Sequence, residues 1–366
     1  MRNVMQHVTA LSAGGVFSIT VNSGASGEFN IPTSGTGYDY DVNTSDGQNI
    51  NGNTGSLNVI FPDTDTIYTI NISGSFPRIF IGDVSPNDTK LLTIEEFGIY
   101  GIGSTVQSQS FNGCTNLIIN AIDLGNFGDA TLFIQTWKDC SSLTSFPFLE
   151  VSSGINFSGA WFRCNSLTSF PLLNLSNGTT FTQTWFKCSS LSSFPLLDVS
   201  SGTNFSFTWQ ECESLTSFPL LDVSSGTNFS VSWFKCYALT SFPLLNVSNG
   251  TNFSSAWGNC TSLTSLPLLD VSSGTNFSFA WSGCTSLTSF PSNFFNNCLG
   301  TNFNNAFGST ALTQTSIDNI LVSIESNTTS NGTFNQSGGS APSATGEAAI
   351  TDMRSRGWTI TVTGGF

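Results

Sequence analysis

Nine cysteines, 23 carboxylates and a single histidine are the side chains with which this chain of 366 residues could do chemistry. Seven of the thiols, Cys140, Cys164, Cys188, Cys212, Cys236, Cys260 and Cys284, recur at a step of 24 residues. Zinc requires ligands that converge as Cys-x-x-Cys pairs or with histidine, and one thiol per 24 residues supplies neither. The step instead puts one thiol on each successive structural unit, which reads as a file of buried cysteines packed as small hydrophobes. Neighbours in such a file could in principle pair, although parallel side chains suit disulfide geometry poorly. Cys298 stands off the file, and His7 lies near the N-terminus, far from the repeats. The sequence carries no nucleophile elbow, phosphate loop or metal motif.

A second file, Glu150, Asn174, Asp198, Asp222, Asn246 and Asp270, brings the carboxylates of Asp198 and Asp222 onto adjacent units. Such a pair could share Ca²⁺, a hard cation that takes oxygen ligands; solvated turn carboxylates are the simpler reading. Polysaccharide hydrolysis would need two carboxylates flanking a glycosidic bond, and nothing singles out a pair. The chain is therefore expected to be non-enzymatic, with no cofactor and no metal.

The remaining chemistry is recognition. Rows that stay identical from repeat to repeat read as core, and rows that change read as surface. After the periodic tryptophans come Lys138-Asp139, Phe162-Arg163, Phe186-Lys187, Gln210-Glu211, Phe234-Lys235, Gly258-Asn259 and Ser282-Gly283, and Tyr237 follows Cys236. Aromatic and cationic side chains dominate binding hot spots. Phe162, Arg163, Phe186, Lys187, Phe234, Lys235 and Tyr237 thus form the expected ligand-binding band. The alternative is that the Phe rings fold back to pad an edge and leave the cations as solubilising charges. A rival surface is the Leu-Thr-Ser-Phe segment, whose hydroxyl rows could contact glycans.

The elements that must position these residues follow from the period. Trp137, Trp161, Trp185, Trp209, Trp233, Trp257 and Trp281 share the 24-residue step, as do seven prolines from Pro147 to Pro291. A fixed period of this length is the signature of stacked repeats, none of which can bury its apolar face alone. In the unit Trp209 to Ser230, Leu215-Thr-Ser-Phe218 suits a short strand ending at a proline. Ser224-Ser-Gly226-Thr227 reads as a turn with Gly226 free to take positive φ, and Asn228 to Trp233 as a helical or 3₁₀ return. Seven coils about 4.8 Å apart would build a rod on the order of 34 Å. The last unit is degenerate, with Phe307 in the Trp row and Thr310 in the Cys row.

Before the repeats, alternating runs at Phe17–Val21, Tyr38–Val42, Leu57–Phe61 and Ile67–Ile72 read as half-buried strands of a small β-sandwich. After them, Ile317, Ile320, Leu321 and Ile324 share one helical face, Gly346 to Arg356 reads as a second helix closed by Gly357, and Trp358–Val362 as a strand. The expected fold class is mainly β: an N-terminal segment (1–16), a sandwich (17–100), a leucine-rich-repeat-type solenoid (101–304) and a small α/β C-terminal cap (305–366).

Composition narrows the partners. Only 9% of residues are charged, and the net charge is −14 with nine basic residues, which argues against nucleic acid. No stretch has the roughly 18 apolar residues of a membrane span, so no membrane insertion is expected. Gln6 and His7 interrupt what would be the apolar core of a secretory signal, so none is read at the start.

The unit Cys-x-Ser-Leu-Thr-Ser-Phe-Pro, with an aromatic three residues before the Cys, resembles the BspA-like leucine-rich repeat proteins over about 111 to 312. Tyr38 to Gly47 followed by Ile67 to Gly74 looks like a PKD-type sandwich through Asp46-Gly47 and Tyr68-Thr-Ile70. The tail from Gly338 to Val362 is similar to the ends of repeat proteins encoded by tailed bacteriophages. These resemblances imply surface attachment without catalysis: a receptor-binding tail fibre or capsid-surface fibre on a virion, contacting a host cell-surface glycan or protein receptor and other virion structural proteins. A bacterial surface adhesin and a purely structural decoration protein are the alternatives, and a homo-oligomer is possible in any of them.

Overall fold

The computed structural model describes residues 15–82 and 87–366. His7 and the start that was read for a secretion signal lie outside the described residues. The amino-terminal strands are β1 (Phe17–Asn22), β2 (Glu28–Ile31), β3 (Asp39–Thr44), β4 (Asn49–Asn53), β5 (Leu57–Ile60) and β6 (Ile67–Ser75). A single turn of helix, α1 (Asn87–Lys90), leads into β7 (Leu91–Glu96), and β8 (Ile118–Ile119) follows. They assemble as one six-stranded sheet in the order β4-β3-β6-β1-β7-β8, with β2 and β5 as a separate two-stranded ribbon. β1 is central because both its edges pair antiparallel, Ile19 with Ile70 of β6 and with Ile94 of β7. Its alternate residues Phe17, Ile19 and Val21 are fully buried, beside Phe29, Ile31 and Val59 of the ribbon.

A strand-built leucine-rich-repeat solenoid does not form, and mainly β holds only as a coarse description. Between β8 and β9 (Asn302–Phe303) no described residue lies in a strand; that stretch is turns, irregular chain and isolated bridges. The amino-terminal part is likewise one large mixed sheet with a ribbon, and not two matched sheets of a sandwich.

Local chemistry explains why the repeats make no strands. In the Leu-Thr-Ser-Phe segment one backbone bond crosses between most neighbours, for example Thr240 N to Thr216 O, and two cross only at Thr288 and Ser289, both to Thr264 O. The proline that follows has no N–H to donate. The next bond is local: Leu221 N donates to Pro219 O at 2.9 Å, a three-residue γ-turn centred on Leu220. The expected helical return is absent too. Phe205–Thr208 and Trp209–Cys212 are successive four-residue turns closed by Thr208 N to Phe205 O and Cys212 N to Trp209 O, with Phe207 and Glu211 at φ +60 and +59. A positive φ at the third position makes these type II turns. Gly226, by contrast, is not left-handed. Its lack of a side chain is a matter of space, since a Cβ there would lie 2.4 Å from Phe229 Cζ.

The repeats nonetheless stack in register. Phe205, Phe207, Trp209 and Glu211 donate their N–H groups to Asn228, Ser230, Ser232 and Phe234 of the next repeat. Parallel bridges run from Val106 to Leu132, then at the 24-residue step through Asn156 and Thr180 to Asn276, and from there to Asn302. The seven tryptophans are fully buried and stacked ring on ring, with centroids 5.7 Å apart at Trp161–Trp185 and 5.5 Å at Trp209–Trp233. Their indole N–H groups find no nitrogen or oxygen partner, so stacking and burial, not hydrogen bonding, hold them. Phe146 and its periodic counterparts meet the indoles edge-on, as Phe218 does Trp209 at 4.9 Å. A second stack, Phe157 to Phe277, lines the opposite side of the indoles with centroid steps such as 5.6 Å at Phe205–Phe229. Burying one such aromatic is worth several kcal/mol, about 3–5 by truncation.

Both ends of this stack are covered. Phe111 precedes Trp137 in the ring file, with Tyr100 packed behind it and Phe127 edge-on to Trp137. At the far end Phe307 stacks on Trp281 at 5.1 Å. β9 then pairs in parallel with β10 (Thr333–Asn335), and β10 with β11 (Thr359–Thr361), so the ladder passes into a three-stranded sheet. Two helices flank it, α2 (Gln314–Glu325) and α3 (Ala344–Ser355). Thr313 and Ser343 cap their N-termini, and Ile317, Ile320, Leu321 and Ile324 of α2 are buried.

Candidate functional site

The variable band falls on one file of the stack, and backbone geometry puts it there. Each cation follows a Trp by two residues and is the third residue of a type II turn: Arg163, Lys187 and Lys235 have φ of +59, +57 and +60. Each backbone N–H donates to the next repeat, as Lys187 N does to Gln210 O at 2.7 Å. Side chains 24 residues apart are therefore held side by side on a hydrogen-bonded scaffold.

Within the band the aromatic residues are half-buried. Phe162 and Phe186 stack on each other at 4.5 Å with 6° between ring planes. Phe234 lies over Gly258, where an added Cβ would be 2.9 Å from Phe234 Cδ2. Arg163 sits over the Phe162 ring at 5.1 Å and Lys235 over Phe234 at 5.5 Å. Tyr237 is half-buried in the row two positions further along the chain. Both readings of the Phe residues are thus realised in part: the rings pad the neighbouring repeat with one face and keep surface exposed.

The charges are organised as well. Asp139 bridges Lys138 at 3.7 Å and Arg163 at 3.8 Å. Glu211 bridges Lys187 at 3.5 Å and Lys235 at 3.4 Å. Burial by itself would raise the Glu211 carboxyl, but Lys235 and Lys187, aided by Gln210, outweigh it and hold the group below its ordinary value of 4.5. Lys138, Arg163, Lys187 and Lys235 are all of the basic residues between 91 and 353. Arg163, Lys187 and Lys235 share this file with Asp139 and Glu211, and Lys138 stands in the row beside it, so the band is locally cationic on a chain of net charge −14.

The two metal-suited files are used otherwise. Each file thiol is buried and reduced, and donates to the preceding repeat, as Cys188 Sγ does to Trp161 O at 3.3 Å and Cys260 Sγ to Trp233 O at 3.1 Å. Cys298, off the file, donates to Gly274 O. Asp198 and Asp222 stand on adjacent repeats, and Oδ1 of each accepts from the backbone and hydroxyl of the serine two residues on, Ser200 and Ser224. Those Ser224 bonds lower the Asp222 carboxyl below its ordinary value. These acids are turn formers. Among the described residues no three His, Cys, Asp or Glu side chains converge on a metal-sized site.

One surface escaped sequence reasoning. The first leucine after each proline is the same in five consecutive repeats, which reads as core, yet Leu172, Leu196, Leu220, Leu244 and Leu268 are 54–63% exposed. Phe148 holds the same position one repeat earlier and is 47% exposed. Each of the five leucines is the apex of a γ-turn, which pushes it outward while the next leucine, such as Leu221, is buried. A Pro-Leu-Leu run in which only one leucine can face inward was the available signal.

Neither a protein-family model nor a curated protein matches the chain.

Proposed function

We propose that this is a non-enzymatic surface-recognition protein that binds an acidic glycan of a host cell surface along the Phe–cation file. The observation that carries the reading is segregation. Three of the four basic residues of the repeats lie on one file with a Phe beside each, and the fourth, Lys138, stands in the adjacent row and bridges to that file through Asp139, while the rest of the repeat surface is uncharged or acidic. A cationic strip on an acidic molecule concentrates anionic ligands locally, and half-exposed rings offer sugars an apolar platform. The proposed setting is a bacteriophage virion surface, as a tail fibre or capsid-surface fibre; its support is the likeness of the Gly338–Val362 tail, and of the BspA-like repeat unit, to attachment proteins.

The test is attachment of labelled full-length protein to intact bacteria and to a purified acidic polysaccharide, with Phe162→Ser, Phe186→Ser and Phe234→Ser combined in one variant and Lys187→Gln with Lys235→Gln in another. Circular dichroism checks the fold of each. The expected result is loss of attachment in both folded variants, and a wild-type affinity that falls as salt rises. Undiminished attachment by either folded variant overturns the assignment of this file.

A further inference from the structure

We propose that the exposed leucine ridge is a self-association surface, on which a second copy of this chain lies alongside the first in parallel orientation. Leu172, Leu196, Leu220, Leu244 and Leu268 form a continuous apolar line more than half exposed. Apolar lines of this extent on a soluble surface mark interfaces. The occupant follows from the two rows that border the ridge.

As the chain crosses this face it presents a serine, then the ridge leucine, then an acid or amide: Ser193, Leu196, Asp198 in one repeat and Ser217, Leu220, Asp222 in the next. The serines are exposed, and no hydrogen bond engages their hydroxyls. The hydroxyls one position earlier in this segment differ, since Thr240 and Thr264, before Ser241 and Ser265, donate to the preceding repeat. On the other border Asp198 and Asp222 use Oδ1 for their own turns and leave Oδ2 free to accept. One border is a row of free donors, and on the opposite border Asp198, Asp222 and Asp270 each keep a carboxylate oxygen free to accept, interrupted by Asn174 and Asn246.

A two-fold axis running along the ridge preserves its direction and sets the serine row of each copy against the acid row of the other. Leucine meets leucine at the same height, and Ser193 and Ser217 donate to Asp198 and Asp222 of the second copy. An axis across the ridge would reverse the direction, set serine against serine and, at its centre, set Asp222 against Asp222, a like-charge contact that disfavours the antiparallel arrangement. The ridge and its borders carry no basic residue, whereas the cationic file lies on a different part of each repeat. The pairing therefore leaves that file free.

Two measurements on the full chain test this. In sedimentation equilibrium the protein is expected to dimerise, and more tightly as salt rises, because each copy carries a net charge of −14 that salt screens. A variant combining Leu196→Ser, Leu220→Ser and Leu244→Ser is expected to raise the dissociation constant roughly tenfold or more. A chain that stays monomeric at all concentrations, or a dimer indifferent to these changes, overturns the proposal.

Orientation is read separately with Leu172→Cys, whose thiol is exposed while the native thiols are buried. Under mild oxidation it is expected to give a covalent dimer by itself. If it cross-links only when mixed with Leu268→Cys, the copies are antiparallel and the proposal fails. This second readout does not depend on the triple variant folding.

Discussion

Glu211 serves two lysines from repeats on either side of its own, Lys187 and Lys235, and its side chain is only 14% exposed. A carboxylate shared in this way ties three repeats together, which an isolated surface pair cannot do. Its folded value lies below the ordinary 4.5. The unfolded chain therefore takes up the proton first, and the contribution of Glu211 to stability is complete above about pH 4.5 and fades as pH falls below it. Glu211→Gln is expected to cost about 1 kcal/mol at pH 7 and to make the urea midpoint less sensitive to pH below about 4.5; equal pH profiles for variant and parent would refute this. The left-handed backbone at Lys187 and Lys235 is not itself a mark of function, because Gln183 and Val231 in the other turn of their repeats share it. The charges were legible in the sequence as a variable row. Their pairing was not, because it joins residues 24 apart whose closeness exists only in the stack.

The repeating element is a chain of tight turns whose shape is set by where large rings must fit. Gly178, Gly202, Gly226 and Gly250 sit against the phenylalanine three residues on, and a Cβ at any of them would lie 2.4–2.5 Å from that ring. The same accounting explains the edge-on file of Phe146, Phe170, Phe194, Phe218 and Phe242, which is interrupted by Leu266 before Phe290. Trp209 meets two of these rings, at 5.6 and 4.9 Å, and Trp257 only Phe242, at 5.3 Å. Leu266→Phe is expected to complete the file and raise stability by about 1 kcal/mol, the worth of an added aromatic pair, read as a higher thermal midpoint. A lower midpoint would mean that the chain has closed around the smaller side chain. The strand expected at Leu-Thr-Ser-Phe failed for an equally local reason: proline and the γ-turn after it take the backbone out of the ladder.

At the scale of the molecule, the files of the stack divide the work. The interior holds rings and thiols, one surface band holds the repeat cations, and a separate file holds the exposed leucines. Burial drives the thiols upward, Cys212 and Cys284 to about 12 and Cys164, Cys188, Cys236 and Cys260 well above the ordinary 9.0. Since the thiolate is the reactive form, the native protein at pH 8 is expected to resist a thiol reagent that titrates all nine cysteines after denaturation; rapid native labelling would show that the stack opens. The two surface files are expected to respond to salt with opposite signs, which allows each to be assayed without the other. By itself the sequence determined the period, the residues in each file and the charge each file carries, because these depend only on identity and spacing. Tertiary structure alone decided which identical row faces outward, which turn replaces the expected strand, and which charges pair. Those outcomes depend on the direction of side chains around a turn and on neighbours one repeat away, and a linear pattern encodes neither.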